Sequence, residues 1–234
     1  MRVLVTRPLP DGERTAANLR QRGHDVLLVP LMQLRPVPVA LNGKWSAVIV
    51  TSANALRVLP PDQVSLLRAL PLYAVGQRSA DAARELRFRE VRSANGDAQD
   101  LVRLIAERHA NQVAPYLYLA GEDRSADVEG MLAGRGIKAE TVVVYRMMTT
   151  GFPPQLFDAI ERRAVDAVVH FSRRSAENYL AGAKAAGLVD QALAPRQVCL
   201  SAAVAEPLGA AGGGNIAIAS RPDEASLLAL LPRS

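Results

Sequence analysis

The 234-residue sequence contains one cysteine, Cys199. That excludes an intrachain disulfide and a cysteine zinc cluster, and it suits a reducing compartment. No run of about 18 apolar residues is unbroken, so no membrane span is expected. The start, MRVLVTRPLPDGER, has only a short apolar core before Arg7 and two prolines. This is too little for a secretory or transit leader, and a cytoplasmic location is expected. Several chemistry-bearing motifs are missing as well: there is no G-x-G-x-x-G after a candidate strand, no G-x-x-x-x-G-K-S/T, no H-E-x-x-H and no G-x-S-x-G. Dinucleotide oxidoreduction, Walker-type NTP hydrolysis, zinc proteolysis and nucleophile-elbow hydrolysis all lose support. An acidic excess is lacking too, since 28 Lys and Arg against 23 Asp and Glu leave a net charge of +5 with the histidines neutral. The basic residues are scattered rather than clustered, which favours an acidic small ligand over nucleic acid.

What is present is an alternation of short apolar runs with longer segments at helical spacing. This is the pattern of parallel βαβ units covered on both faces, and the fold class is α/β. Candidate strands are Val3–Thr6, Val26–Val29, Ala47–Thr51, Leu72–Val75, Val113–Leu119, Glu140–Val144, Val165–Phe171, Gln197–Leu200 and Ile216–Ala219. Candidate helices include Asp11–Arg22, with Ala16, Leu19 and the Arg20 stem toward a sheet, and Gln99–Arg108, with Leu101, Leu104 and Ile105 on one stripe. A final helix is signalled by Ser220 as its cap, Pro222 in the first turn, Asp223 and Glu224 against the dipole, and then Leu227, Leu228, Leu230 and Leu231.

Two segments break the rhythm. Pro30–Pro38 and Tyr145–Pro154 are proline- or glycine-bearing and poorly periodic, so both read as connectors. The piece before the first is about 30 residues, too small to bury a core alone. The economical solution is a discontinuous α/β domain of residues 1–31 plus 152–234 and an inserted α/β domain of 40–144, with connectors 32–39 and 145–151.

The strand ends recur in kind. Val3-Leu4-Val5 runs into Thr6-Arg7, Val48-Ile49-Val50 into Thr51-Ser52-Ala53-Asn54, and Tyr73-Ala74-Val75 into Gly76-Gln77-Arg78-Ser79. Leu117-Tyr118-Leu119 runs into Ala120-Gly121-Glu122, Val168-Val169 into His170-Phe171-Ser172-Arg173-Arg174-Ser175, and Val198-Cys199-Leu200 into Ser201. Ser, Thr and Gly at such turns cap helices and point backbone N–H groups outward at the positive end of the dipole. In an open parallel sheet these ends share the edge where ligands bind. With Arg7, Arg78, Arg124 and Arg173 among them, six such turns lining one cleft would suit carboxylates. Each turn taken singly also reads as an ordinary cap.

Other residues carry less. Gly212-Gly213-Gly214 lacks a following lysine and reads as a turn. His24 and His109 read as structural or solvent-facing, and Cys199 as a small buried residue. His170 reads two ways, toward the strand end or into the core. Tyr145 ends a candidate strand as the chain enters a connector, where a phenol either packs a hinge or donates a hydrogen bond or proton to a ligand.

Together these residues resemble the uroporphyrinogen-III synthase family. The likeness runs through Leu4-Val5-Thr6-Arg7-Pro8, Val50-Thr51-Ser52-Ala53-Asn54-Ala55, Ala74-Val75-Gly76 with Ser79-Ala80, and Gly121 with Arg124. It continues through Val144-Tyr145-Arg146, Phe171-Ser172 with Ser175-Ala176, and Ser220-Arg221-Pro222 before Leu227-Leu228. Order and spacing over the whole chain carry it, since no one string is specific. The resemblance implies two flavodoxin-like parallel-sheet domains, one inserted in the other, joined by a two-stranded linker, with the site in the cleft. It implies a lyase that cyclises the eight-carboxylate linear tetrapyrrole hydroxymethylbilane to uroporphyrinogen III, with loss of water and inversion of ring D, in tetrapyrrole biosynthesis. Loss of the hydroxymethyl oxygen gives an azafulvene that the substrate's own pyrrole nitrogens stabilise, and ring D then inverts through a spiro intermediate. A general acid suffices, with no cofactor and no metal, and Tyr145 is the residue in the family's tyrosine position. Arg7, Ser52, Asn54, Gly76, Ser79, Gly121, Arg124, Ser172 and Ser175 are the implied substrate contacts. After the penultimate strand, where relatives carry a glycine and a threonine-alanine pair, this chain has Ser201-Ala202-Ala203-Val204-Ala205, leaving Ser201 as the hydroxyl there. A monomer is expected, with no nucleic-acid or membrane partner. The alternatives are a non-catalytic two-domain binding or sensor protein for a polyanionic metabolite, and a flavodoxin-like FMN protein.

Overall fold

The computed structural model describes residues 1–108 and 114–232. Along the chain, β1 (Arg2–Val5) leads into α1 (Asp11–Gln21), β2 (Asp25–Leu28) and β3 (Met32–Pro36). Then come β4 (Val48–Val50), α2 (Ala53–Arg57), α3 (Pro61–Leu67), β5 (Leu72–Ala74), α4 (Gln77–Glu85), β6 (Val91–Ser93), α5 (Ala98–Arg108), β7 (Tyr116–Gly121), α6 (Val128–Ala133) and β8 (Ala139–Thr149). The chain continues with α7 (Pro154–Glu161), β9 (Ala167–His170), α8 (Arg173–Ala185), α9 (Val189–Leu193), β10 (Arg196–Cys199), α10 (Ala202–Ala210), β11 (Ile216–Ile218) and α11 (Glu224–Leu228). His109 and the start of the candidate strand at Val113 lie outside the described residues.

Contacts divide the chain into two units, Met1–Gln33 with Met148–Ser234, and Leu34–Met147. The first holds a five-stranded sheet in the order β11-β10-β9-β1-β2, every pair parallel. Renumbered within the unit this is 2-1-3-4-5, the flavodoxin arrangement. Strand alternation sends Leu4 and Val168 to a layer with Tyr179 and Leu208, and Val3, Val5 and Val169 to the other face with Leu227 and Leu228. Both faces are dry, which is why these strands read as unbroken apolar runs. Each fully buried Leu or Val here contributes roughly 2 kcal/mol.

The second unit holds a six-stranded sheet in the order β3-β8-β7-β4-β5-β6, parallel from β8 through β6. Its five parallel strands renumber as 3-2-1-4-5, so its chain reverses direction across the sheet between β4 and β7 rather than as in the first unit. Val48, Val50 and Leu119 face one apolar layer, and Ile49, Tyr116 and Tyr118 the other. The unit boundaries fall within β3 and β8. Val37 N–H donates to the Val144 carbonyl at 2.8 Å and Thr150 N–H to the Leu31 carbonyl at 2.9 Å, so partner positions run in opposite directions along this pair.

Local expectations differ from the structure in a few places. The Pro30–Pro38 segment contains β3, an edge strand, where proline is tolerated because one side of the ladder is unpaired. β8 runs on through Thr149 instead of ending at Val144. Arg20 is exposed, and α1 buries Gly12, Thr15, Ala16 and Leu19. The cap of α11 is Asp223 rather than Ser220: its carboxylate accepts from Ser226 N–H at 2.7 Å, and the helix begins only after Pro222.

Candidate active site

In the second unit, β4, β5, β7 and β8 deliver their carboxyl ends side by side on one edge of the sheet. After β4, Ser52 caps α2 from an extended conformation, its hydroxyl accepting from Asn54 N–H at 3.2 Å. The half-buried Asn54 side chain accepts from Arg57 at 3.5 Å. After β5, Gly76 caps α4 with no side chain, and a Cβ built there would meet nothing within 4 Å, so the space above it is open. Ser79 is buried in the first turn of the same helix.

After β7 the ladder to β8 slips by one residue. Ala120 pairs with Val143 but Gly121 with Tyr145, leaving Val144 as the extra residue of a bulge. Such a bulge re-aims the side chains beyond it. Val144 turns into the apolar layer beside Leu119, and Tyr145 comes opposite Gly121 with its ring over the glycine. The half-buried Tyr145 hydroxyl makes no hydrogen bond to another side chain among the described residues. Arg124, on the loop after β7, is exposed and forms no ion pair among the described residues.

Two residues outside the sequence-derived set complete this edge. Tyr118 is 2% exposed, and its hydroxyl meets Thr51 Oγ1 at 2.9 Å across β4 and β7. Burial raises its pKa, partly countered by the Thr51 hydrogen bond and the Arg124 charge. Both residues line a cavity of about 180 Å³ with Val75, Asp97 and Ser125. The signal was alternation: Tyr116 and Tyr118 share a face of β7, and only the partner Thr51, 67 positions away, shows that the second phenol reaches the strand ends.

The corresponding edge of the first unit is differently furnished. Arg7, after β1, hydrogen-bonds Thr15 at 3.2 Å, pairs with Asp11 at 3.2 Å and Glu224 at 3.3 Å, and lies 4.3 Å over the Phe171 ring. Its side chain is only 14% exposed. The guanidinium is thus committed to two carboxylates and an aromatic face, as a structural tie rather than an unclaimed anion donor. Ser172 caps α8 by accepting from Ser175 N–H at 3.1 Å, and the two hydroxyls lie 2.8 Å apart. One hydroxyl proton bridges the pair, which leaves the other for a ligand. Arg173 is exposed and held by Glu177 and Glu206, which raise its pKa. Ser201 caps α10 without a side-chain hydrogen bond.

His170 turns into the core. It is fully buried, its Nε2 lies 2.9 Å from Gln197 Oε1, its ring packs on Tyr179, and burial lowers its pKa to about 4. Cys199 is buried as well, its thiol pushed up to about 12 by burial. Among the described residues no cluster of three or more metal-binding side chains exists, and no helix is long and apolar enough to cross a membrane.

Of the ten sequence-derived residues, Ser52, Asn54, Gly76, Ser79, Gly121, Arg124 and Tyr145 fall together at the edge of the six-stranded sheet. Arg7, Ser172 and Ser175 fall at the edge of the five-stranded one. Two doubly wound parallel sheets, each ending its strands in hydroxyl and glycine turns, place the chain in the α/β class whose members in general bind ligands at the carboxyl ends of their strands.

The chain belongs to the uroporphyrinogen-III synthase family: residues 13–229 match the family model described as "Uroporphyrinogen-III synthase HemD". The fold agrees with solved structures. Uroporphyrinogen-III synthetase from Helicobacter pylori superposes with a TM-score of 0.69 at 17% identity, covering 98% of each chain. A mutant uroporphyrinogen III synthase from the extremely thermophilic bacterium Thermus thermophilus superposes with a TM-score of 0.56 at 20% identity, covering 98% of this chain and 96% of that one. No curated protein sequence matches significantly. Membership makes this chain a cyclising lyase of tetrapyrrole biosynthesis that acts on a small-molecule pyrrole substrate, hydroxymethylbilane, and forms uroporphyrinogen III.

Proposed function

We propose that Tyr145 is the general acid of this cyclisation and that the strand-end turns bind the substrate's carboxylates. The observation that carries the reading is the Tyr145 phenol, set over Gly121 at the end of β7 by a bulge. Departure of the hydroxymethyl oxygen as water needs one proton, and a phenol positioned at the leaving group supplies it. The resulting azafulvene is stabilised by the substrate's own pyrrole nitrogens. What remains for the protein is to hold the chain folded so that ring D meets ring A in the inverting orientation.

Ser52, Asn54, Gly76, Ser79 and Arg124 are the proposed carboxylate contacts of the six-stranded sheet. They are supported by their common edge, the open space above Gly76 and the exposed guanidinium of Arg124. Ser172 and Ser175 offer the same chemistry on the five-stranded sheet. Arg7 is left out of the set because Asp11 and Glu224 already hold it. The enzyme is proposed to act as a cytoplasmic monomer without a cofactor.

The test is to supply hydroxymethylbilane to the purified protein and separate the products by isomer. Uroporphyrinogen III above the spontaneous type I background is expected. Type I alone would overturn the reading.

A further inference from the structure

The family resemblance implies that Gly121 contacts a carboxylate through its backbone amide, but its surroundings in the structure suit another use. Its φ lies outside the left-handed range, so nothing in its backbone calls for glycine. What calls for it is space. A Cβ built on Gly121 would stand 2.6 Å from Tyr145 Cζ, 2.8 Å from the phenol oxygen and 2.9 Å from Cε2, all atoms of one side chain. The bulge puts these two residues opposite each other, and Glu122 N–H clamps the Tyr145 carbonyl at 3.0 Å, so the backbone on both sides is fixed.

We infer that Gly121 is a positioning residue for the Tyr145 phenol, acting through the side chain it lacks. This rests on the proposed role of Tyr145. Carbon atoms in ordinary contact lie about 3.5 Å apart, so a methyl group at position 121 displaces the ring by roughly 1 Å. The atoms that must give way are the far end of a side chain rather than backbone, so the strand pair survives and the ring swings. A displacement of about 1 Å at a reacting group costs up to ~100-fold in rate.

The experiment is a double-mutant cycle of Gly121→Ala and Tyr145→Phe, read as kcat and KM for hydroxymethylbilane, with thermal melts of each variant. In the wild-type background Gly121→Ala lowers kcat about 10- to 100-fold with KM within about twofold. Added to Tyr145→Phe, it lowers kcat no further, because the phenol it displaces is already gone. An independent readout is 19F NMR of protein labelled with 3-fluorotyrosine. The Tyr145 signal, assigned by its loss in Tyr145→Phe, moves in Gly121→Ala, while those of Tyr73, Tyr116 and Tyr179 stay in place.

Alanine keeps the amide N–H, so an unchanged kcat would return Gly121 to the amide role and overturn the inference. Equal losses in both backgrounds, or a collapsed melting temperature, would overturn it too, since the strand rather than the ring would then be giving way. These failures differ from failure of the synthase reading, which is a wild-type protein that makes no type III isomer.

Discussion

The two sheets place their chain reversals at different strands and furnish them in opposite ways. In the five-stranded sheet the reversal lies between β1 and β9, and the Arg7 guanidinium fills it, stacked on Phe171 and tied to Asp11 and Glu224. In the six-stranded sheet it lies between β4 and β7. There the Thr51 and Tyr118 hydroxyls meet beside a cavity that Asp97 also lines, with the Tyr145 phenol and the exposed Arg124 at the same edge. A guanidinium satisfied by two carboxylates stabilises its own unit, whereas at the second edge the half-buried Tyr145 phenol and the exposed Arg124 guanidinium keep their polar ends unpaired with other side chains among the described residues. The difference lies in the cation: tied down within the first edge, exposed at the second.

The largest effect is expected at His170, in the closed core of the five-stranded unit. Its folded pKa of about 4 lies below the ordinary 6.5, so the unfolded chain takes up the proton first. Stability is full above about pH 6.5 and falls through the window down to about 4, by ~3 kcal/mol at the plateau. His24, also lowered by burial, adds in the same direction. Urea unfolding at pH 7.5 and 4.5 checks this, and His170→Asn should lose most of the slope. An equal slope in the variant would show that the buried imidazole is not its source.

Next is Arg7→Met, which leaves the mostly buried Asp11 and Glu224 with Arg14 as their remaining ion-pair partner. It should cost roughly 2 kcal/mol in urea unfolding, less than a fully buried pair because both acids retain some solvent. The kcat of the folded variant should stay within about twofold of wild type. A large loss of kcat at unchanged stability would return Arg7 to the groups that act on the substrate. The smallest effect is expected for Arg124→Ala. Stability should hold within about 0.5 kcal/mol, and KM should rise roughly threefold to tenfold. An unchanged KM would remove Arg124 from the binding set.

Much of this was legible in the residues. Parallel strands buried on both faces announce themselves as apolar runs, and Val3-Leu4-Val5, Val48-Ile49-Val50 and Val168-Val169 did so. β3 was hidden because Pro30, Pro36 and Pro38 argue against a strand unless it sits at an edge, and edges are a property of the assembled sheet. β6, three residues with Arg92 at its centre, was too short to show periodicity. Strand order was out of reach, since both sheets alternate strand and helix alike yet order their strands differently. At the site, the turn residues were readable because helix caps are local. Arg7 was not, because Glu224 lies 217 positions away. Nor was the setting of Tyr145, since the bulge that turns it onto Gly121 exists only in the paired ladder.

In the proposed mechanism the phenol at the second edge does the proton chemistry. Its most direct test is the single-turnover rate of Tyr145→Phe with hydroxymethylbilane, measured beside the binding of the same substrate. Binding within about threefold of wild type with uroporphyrinogen III formed about 100-fold more slowly is the predicted result. Formation of the type III isomer at the wild-type rate would contradict it.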